Sequence, residues 1–137
     1  MVDKALLAKK VAAVRDAVER IRSVLPLNRD AFIADRTTRE VVILNLFVAV
    51  QECVALAAQW LADAGLDVPG GYREMFLTLA DHDLLDRELA RRLAAASGLR
   101  NLVAHRYGVL DWGRIHEIAA KELDDLLDFC EQLARRA

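Results

Sequence analysis

The densest group of reactive side chains in the sequence is Arg100-Asn101-Leu102-Val103-Ala104-His105-Arg106-Tyr107. Arg100 is a permanent cation that can bind a phosphate through two hydrogen bonds. His105 titrates near neutral pH and can move a proton. Asn101 lies four residues before His105, so on a helix the two share a face and can hydrogen-bond. Tyr107 lies seven residues after Arg100 and shares a face with it. A phosphate clamp, a proton shuttle and a polar orienter are the parts needed to cleave an RNA strand without a metal. The 2′-hydroxyl attacks its own phosphate, a base takes its proton, and cations stabilise the crowded phosphorane. The spacing sets a condition on this chemistry. Five residues turn an ideal helix through about 140°, so Arg100 and His105 converge only if the helix end unwinds or a second subunit completes the site. A structural assignment competes: His105 caps the helix C-terminus, Arg100 pairs with an acid, and Tyr107 fills the core edge.

The elements that must position these residues read as helices. Leu6, Leu7, Val11, Val14, Val18, Ile21 and Leu25 recur at three- and four-residue steps. They predict a first helix from an Asp3 N-cap to about Leu25, ended by Pro26. Leu27 to Arg36 is a connector with one helical turn after Asp30. A second helix starts near Thr37, which has capping-box spacing to Glu40, and runs to Ala64, with Gly65 suited to the left-handed position beyond its end. Pro69-Gly70-Gly71 marks a loop, and a short helix follows over Tyr72 to Asp81. His82-Asp83 is a break. A fourth helix runs from near Leu84 toward Tyr107, where Gly108 ends it. Asp111 caps a last helix, Trp112 to Arg135.

Composition agrees with this reading. The chain has 137 residues, 55% of them hydrophobic and 29% charged, which is one domain, 1–137, with enough apolar content for a core. Ala and Leu make up about a third of it, while Gly (6) and Pro (2) are scarce. That excludes turn-rich sandwiches and barrels and excludes disorder. The expected fold is all-α, an antiparallel bundle of four to five helices. The second helix is apolar on nearly every side between Val41 and Leu61, and so must be covered all round. A domain this small has too little chain for that, which points to a subunit interface. The same run is broken by Asn45, Gln51, Glu52, Gln59 and Asp63, which argues against a membrane span. The charged N-terminus has no continuous apolar stretch of the secretory kind. Cys53 and Cys130 lack metal or redox spacing and read as reduced core residues, so the expected compartment is the cytoplasm.

Net charge is -2, so any contact with nucleic acid must be local. Arg87, Arg91, Arg92, Arg100, Arg106 and Arg114 face only Glu88 and Asp111 over one stretch. The next carries Glu117, Glu122, Asp124, Asp125, Asp128 and Glu131 against Lys121. Either these are two solvated faces that attract each other, or the basic strip tracks a phosphate backbone. No cofactor is expected: there is no Walker pattern, and His82 with its neighbouring aspartates lacks the ligands of a metal site. His116 reads as solvated, Trp60 and Trp112 as packing residues, and Tyr72 as a loop anchor.

The motif Arg100-Asn101-x3-His105-x-Tyr107 resembles the signature of the HepT-like toxins (the DUF86 group) of the HEPN superfamily. The resemblance runs roughly from Val41 to Leu133. It takes in Gln51-Glu52-Cys53 in the second helix, the Gly65-Leu66 exit, Tyr72-Arg73-Glu74-Met75-Phe76, Leu79-Ala80, Gly98-Leu99-Arg100-Asn101, and the turn to Asp111. It implies an all-helical HEPN-like homodimer with the motifs of both subunits in a shared cleft. It implies a metal-independent ribonuclease toxin whose partner, a minimal nucleotidyltransferase antitoxin, moves AMP from ATP onto the motif tyrosine. Carried over, Arg100 and His105 are the catalytic pair, Asn101 and Arg106 support them, Tyr107 is the AMP acceptor, and RNA is the substrate. Gln51 and Glu52 are both candidates for a polar contact from the second helix. The alternative is a non-catalytic module whose cleft binds nucleotides or the partner protein.

Overall fold

Asp3 opens the first helix as its side chain accepts hydrogen bonds from the amides of Ala5 and Leu6 at 2.8 and 3.1 Å. The computed structural model describes residues 3–106 and 110–136, and the side chains of all of these except 99–106. Seven helices are described: α1 (Lys4–Val24), α2 (Arg29–Ala34), α3 (Arg36–Asp63), α4 (Tyr72–Asp81), α5 (Arg87–Arg106), α6 (Trp112–Lys121) and α7 (Leu123–Arg136). Tyr107 and Gly108, the expected AMP acceptor and helix terminator, lie outside the described residues.

The all-α expectation holds, and the local chemistry shows where the finer boundaries differ. The connector after α1 is a full short helix, because Asn28 caps it by accepting from the Ala31 amide at 2.9 Å. The cap of α3 is Asp35, not Thr37: its carboxylate accepts from the Thr38 amide at 3.2 Å and the Thr38 hydroxyl at 2.9 Å. Those two bonds hold the Asp35 carboxyl below its ordinary range. α5 starts later than Leu84, at Arg87, where Asp86 accepts from the Leu89 amide at 3.0 Å. The expected last helix breaks at Glu122, giving α6 and α7, with Asp111 capping α6 through the Arg114 amide at 3.1 Å.

α3 is the element the others are built around. α1 lies along it, α4 and α5 pack together and against it, and α6 and α7 close the remaining side. Val42, Ile43, Leu46, Val50, Leu56 and Leu61 of α3 are fully or almost fully buried. Phe129 of α7 meets Phe76 edge to face at 5.4 Å and Trp60 at 6.1 Å, tying α3, α4 and α7 into one core. Cys53 and Cys130 are free and buried where α3 meets α7. Contact with the Cys130 thiol, together with burial, pushes the Cys53 thiol well above its ordinary value. His116 is not solvated as its place in the sequence suggested. It is 8% exposed, its Nε2 lies 2.8 Å from the Pro26 carbonyl, and its ring packs against Phe32 at 5.5 Å. The α1–α2 connector folds over α6 and covers it.

Among the described residues α3 is the one helix long and apolar enough to cross a membrane, and half of its most apolar window is buried by the chain itself. The other half forms a line. Val41, Leu44, Val48, Gln51, Ala55 and Ala58 recur at alternating steps of three and four, and all are half-buried or exposed. Leu44 stands out at 62% exposed. An apolar seam with that period is what a second helix packs against.

α3 ends where Gly65 turns the chain at φ 75°, with the Leu66 amide donating back to the Leu61 carbonyl at 3.0 Å. No described atom lies within 4 Å of a Cβ built at Gly65, so only backbone strain opposes a side chain there. Gly65→Ala is therefore expected to lower unfolding stability by about 1 kcal/mol in urea titration with an unchanged m-value. Unchanged or increased stability would show that the turn does not need the left-handed conformation.

Candidate active site

α5 carries Arg100, Asn101, His105 and Arg106 in its last turns and is helical through Arg106. Its inner face is fixed by Leu89, Ala90, Leu93, Ala94 and Ser97, all buried. By helical register alone, position 100 lies about 60° to one side of that face's centre line and position 105 about 80° to the other. The helix therefore keeps Arg100 and His105 about 140° apart, as the spacing demands. Unwinding before Arg106, one of the two ways in which they could converge, does not occur.

Of the basic-strip arginines whose side chains are described, Arg92 and Arg114 pair with the acidic stretch, and Arg87 and Arg91 pair with acids outside it. Arg87 pairs with Asp81 at 2.8 Å, Arg92 with Asp125 of α7 at 3.0 Å, and Arg91 with Glu88 at 3.7 Å. The hydrogen bond to Asp125 holds the Arg92 guanidinium still more firmly in its charged form. Arg114 binds Glu122 at 2.8 Å and Glu117 at 3.0 Å, bridging the α6–α7 break. Exposed pairs of this kind contribute little stability each.

The two candidates from the second predicted helix part company. Glu52 is tied to α1 through Lys10 at 2.9 Å, with both side chains about one quarter exposed. Gln51 lies on the exposed line of α3. Lys10 had no signal in the sequence, because its link to Glu52 spans two helices.

A cavity of about 340 Å³ lies between the first turn of α4 and the middle of α5. Its described lining includes Tyr72, Arg73, Glu74, Ser97 and Gly98. Sequence reasoning missed it. The signal was a glycine at position 98 inside a helix, where alanine is the better residue by about 1 kcal/mol. Among the described residues no group of three His, Cys, Asp or Glu side chains could hold a metal ion.

Comparison with known proteins identifies the family and the fold. Residues 14–133 match the family described as Ribonuclease HepT-like. The mRNA nuclease HepT of Shewanella oneidensis is 27% identical over 126 residues, covering 92% of this chain and 94% of that protein. The solved structure of the tri-AMPylated Shewanella oneidensis HEPN toxin in complex with MNT antitoxin superposes with a TM-score of 0.88 at 26% identity, over 97% of this chain and 99% of that one. The Bacillus subtilis cytosolic protein YutE superposes at 0.85 with 12% identity, over 98% of this chain and 90% of that one, a likeness of fold alone. With the family model matching residues 14–133 and the helical frame shared with a solved HEPN toxin, the chain belongs to the HepT-like ribonuclease family.

Proposed function

We propose that this protein is the toxin of a toxin–antitoxin pair. In this reading it is a metal-independent endoribonuclease, built as a homodimer and silenced by AMP on Tyr107. The observation that carries the reading is the complete Arg100-Asn101-x3-His105-x-Tyr107 motif in the sequence of a HepT-like chain, with positions 100–106 closing α5. The relatives named mRNA nuclease and AMPylated toxin point the same way.

The helix geometry supports a shared site. Because α5 stays helical through Arg106, one chain holds Arg100 and His105 on different sides of a helix. A second copy supplies the missing partner, His105 of one subunit working opposite Arg100 of the other. The open apolar line of α3 supplies a surface on which two copies can associate. In the reaction His105 takes the 2′-hydroxyl proton, and the 2′-oxygen bonds to phosphorus. The bond to the 5′-oxygen breaks, and that oxygen leaves with a proton. Arg100 offsets the charge that builds on the phosphorane. Asn101, one helical turn before His105, orients the imidazole. The products are a 2′,3′-cyclic phosphate and a 5′-hydroxyl.

Control follows from the same charges. A minimal nucleotidyltransferase joins the Tyr107 oxygen to the α-phosphorus of ATP and releases pyrophosphate. The bound phosphodiester then competes for Arg100 and Arg106 and fills the cleft. RNA and ATP, the substrates of the two steps, place this function in the cytoplasm.

Light scattering at micromolar concentration is expected to report a dimer, and Leu44→Glu, which puts a charge on the open line of α3, a helical monomer. A wild-type monomer, or a dimer untouched by Leu44→Glu, would contradict this interface. Cleavage of RNA is expected to persist in EDTA, and Arg100→Ala and His105→Ala each to lose on the order of 10²–10⁴-fold in rate. Cleavage at full rate in the His105→Ala protein would place the chemistry elsewhere. After incubation with partner, ATP and magnesium, intact-mass spectrometry is expected to show whole adenylyl units on wild type and none on Tyr107→Phe. Adducts mapped to Tyr72, or neutralisation without any adduct, would overturn control by modification.

A further inference from the structure

The cavity between α4 and α5 has no role in the mechanism above, and its construction asks for an occupant. Gly98 sits in the interior of α5, where glycine is worse than alanine and where the chain requires no left-handed turn. Among the described atoms, none lies within 4 Å of a Cβ built there. Packing among the described residues therefore gives no reason for the glycine. Ala94 and Ala95 continue the low wall, and Ser97 lies at its foot, 3% exposed, its hydroxyl donating to the Ala94 carbonyl at 2.7 Å.

The opposite wall is polar and aromatic. Tyr72 is half-buried at the first turn of α4. Arg73 is exposed and makes no hydrogen bond or ion pair among the described residues. Gly71 caps α4 without a side-chain hydrogen bond. Glu74 is the one acid in the described lining, and its carboxylate folds back against Gly71, where any Cβ would collide with it.

Position along α5 decides what the occupant is. Ala94, Gly98, Asn101 and His105 are spaced four, three and four residues apart, so they follow one line on the helix. Gly98 is seven residues before His105, about 10 Å along the axis at 1.5 Å per residue. A strand whose phosphate reaches His105 thus passes the cavity within one or two nucleotides. A volume of about 340 Å³ falls at the low end for small-ligand cavities, enough for a nucleobase and too small for a helix of a partner protein.

We propose that this cavity is a nucleobase subsite. It holds a base of the RNA strand beside the scissile phosphate, with Tyr72 as the stacking surface, Arg73 on the backbone phosphate and Gly98 as the gap that admits the ring. The subsite rests on the ribonuclease reading and adds the element that selects where a single strand is gripped. Base-aromatic stacking sets the scale of the effect, about 5- to 150-fold in affinity for one base.

The test is fluorescence anisotropy with a short, unstructured, labelled RNA, with every protein carrying His105→Ala to prevent cleavage. Gly98→Leu fills the gap with a better helix former, so its melting temperature should equal or exceed that of its parent while RNA binding weakens at least fivefold. Tyr72→Ala should weaken binding over the same range, and Tyr72→Phe, which keeps the ring, should bind as the parent does. Light scattering on Gly98→Leu should still show the dimer. Binding that survives both Gly98→Leu and Tyr72→Ala overturns the subsite and leaves the ribonuclease reading intact. Loss of the dimer in Gly98→Leu shows the cavity to be a subunit contact and overturns it equally. A parent protein that binds no RNA overturns the ribonuclease reading and the subsite together.

Discussion

The need to cover α3 governs the rest of the molecule. A helix of 28 residues that is apolar on almost every side has no face to offer water. The chain answers with α1 along one side, the α4–α5 pair on another and α7 on a third, each presenting an apolar stripe. Even so, the line through Leu44, Val48 and Ala55 stays partly open. Burial of apolar surface is worth about 25 cal/mol per Å², so an open line several turns long favours association with a like surface. The proposed assembly and the fold thus answer to one constraint.

α5 links that constraint to chemistry. Its inner face, Leu89, Leu93 and Ser97, is pinned against the core, which fixes the rotation of every later residue on the same rigid helix. Arg100, Asn101 and His105 are placed by this rotation, without any loop to adjust them. Positions 100 and 105 lie about 140° apart around this helix, which is what the proposed shared site answers. The arginines nearer the start of the helix are occupied by Asp81, Glu88 and Asp125.

Much of this was legible in the residues because its causes are local. Asp3, Gly65 and Asp111 act on amides within a few positions, and each does what its type and place suggest. The Arg100–His105 separation also follows from sequence spacing alone. The features that were not legible depend on distant partners. Asp35 outcompetes Thr37 as a cap because the chain enters α3 from a short helix that the sequence shows only faintly. His116 is buried by Pro26 and Phe32, some ninety residues earlier in the chain. Lys10 takes up Glu52 across two helices, and the cavity beside Gly98 exists only once α4 lies on α5.

The central claim is that the active site is completed by two copies of the chain. Mixing two inactive proteins tests it most directly. Arg100→Ala and His105→Ala are each purified, unfolded and refolded together so that subunits exchange, and RNA cleavage is measured in EDTA. The account predicts that the mixture regains cleavage, because His105 from one subunit meets Arg100 from the other. A mixture as inactive as its components, beside wild type mixed with the double variant that stays active, would contradict it and confine the pair to a single chain.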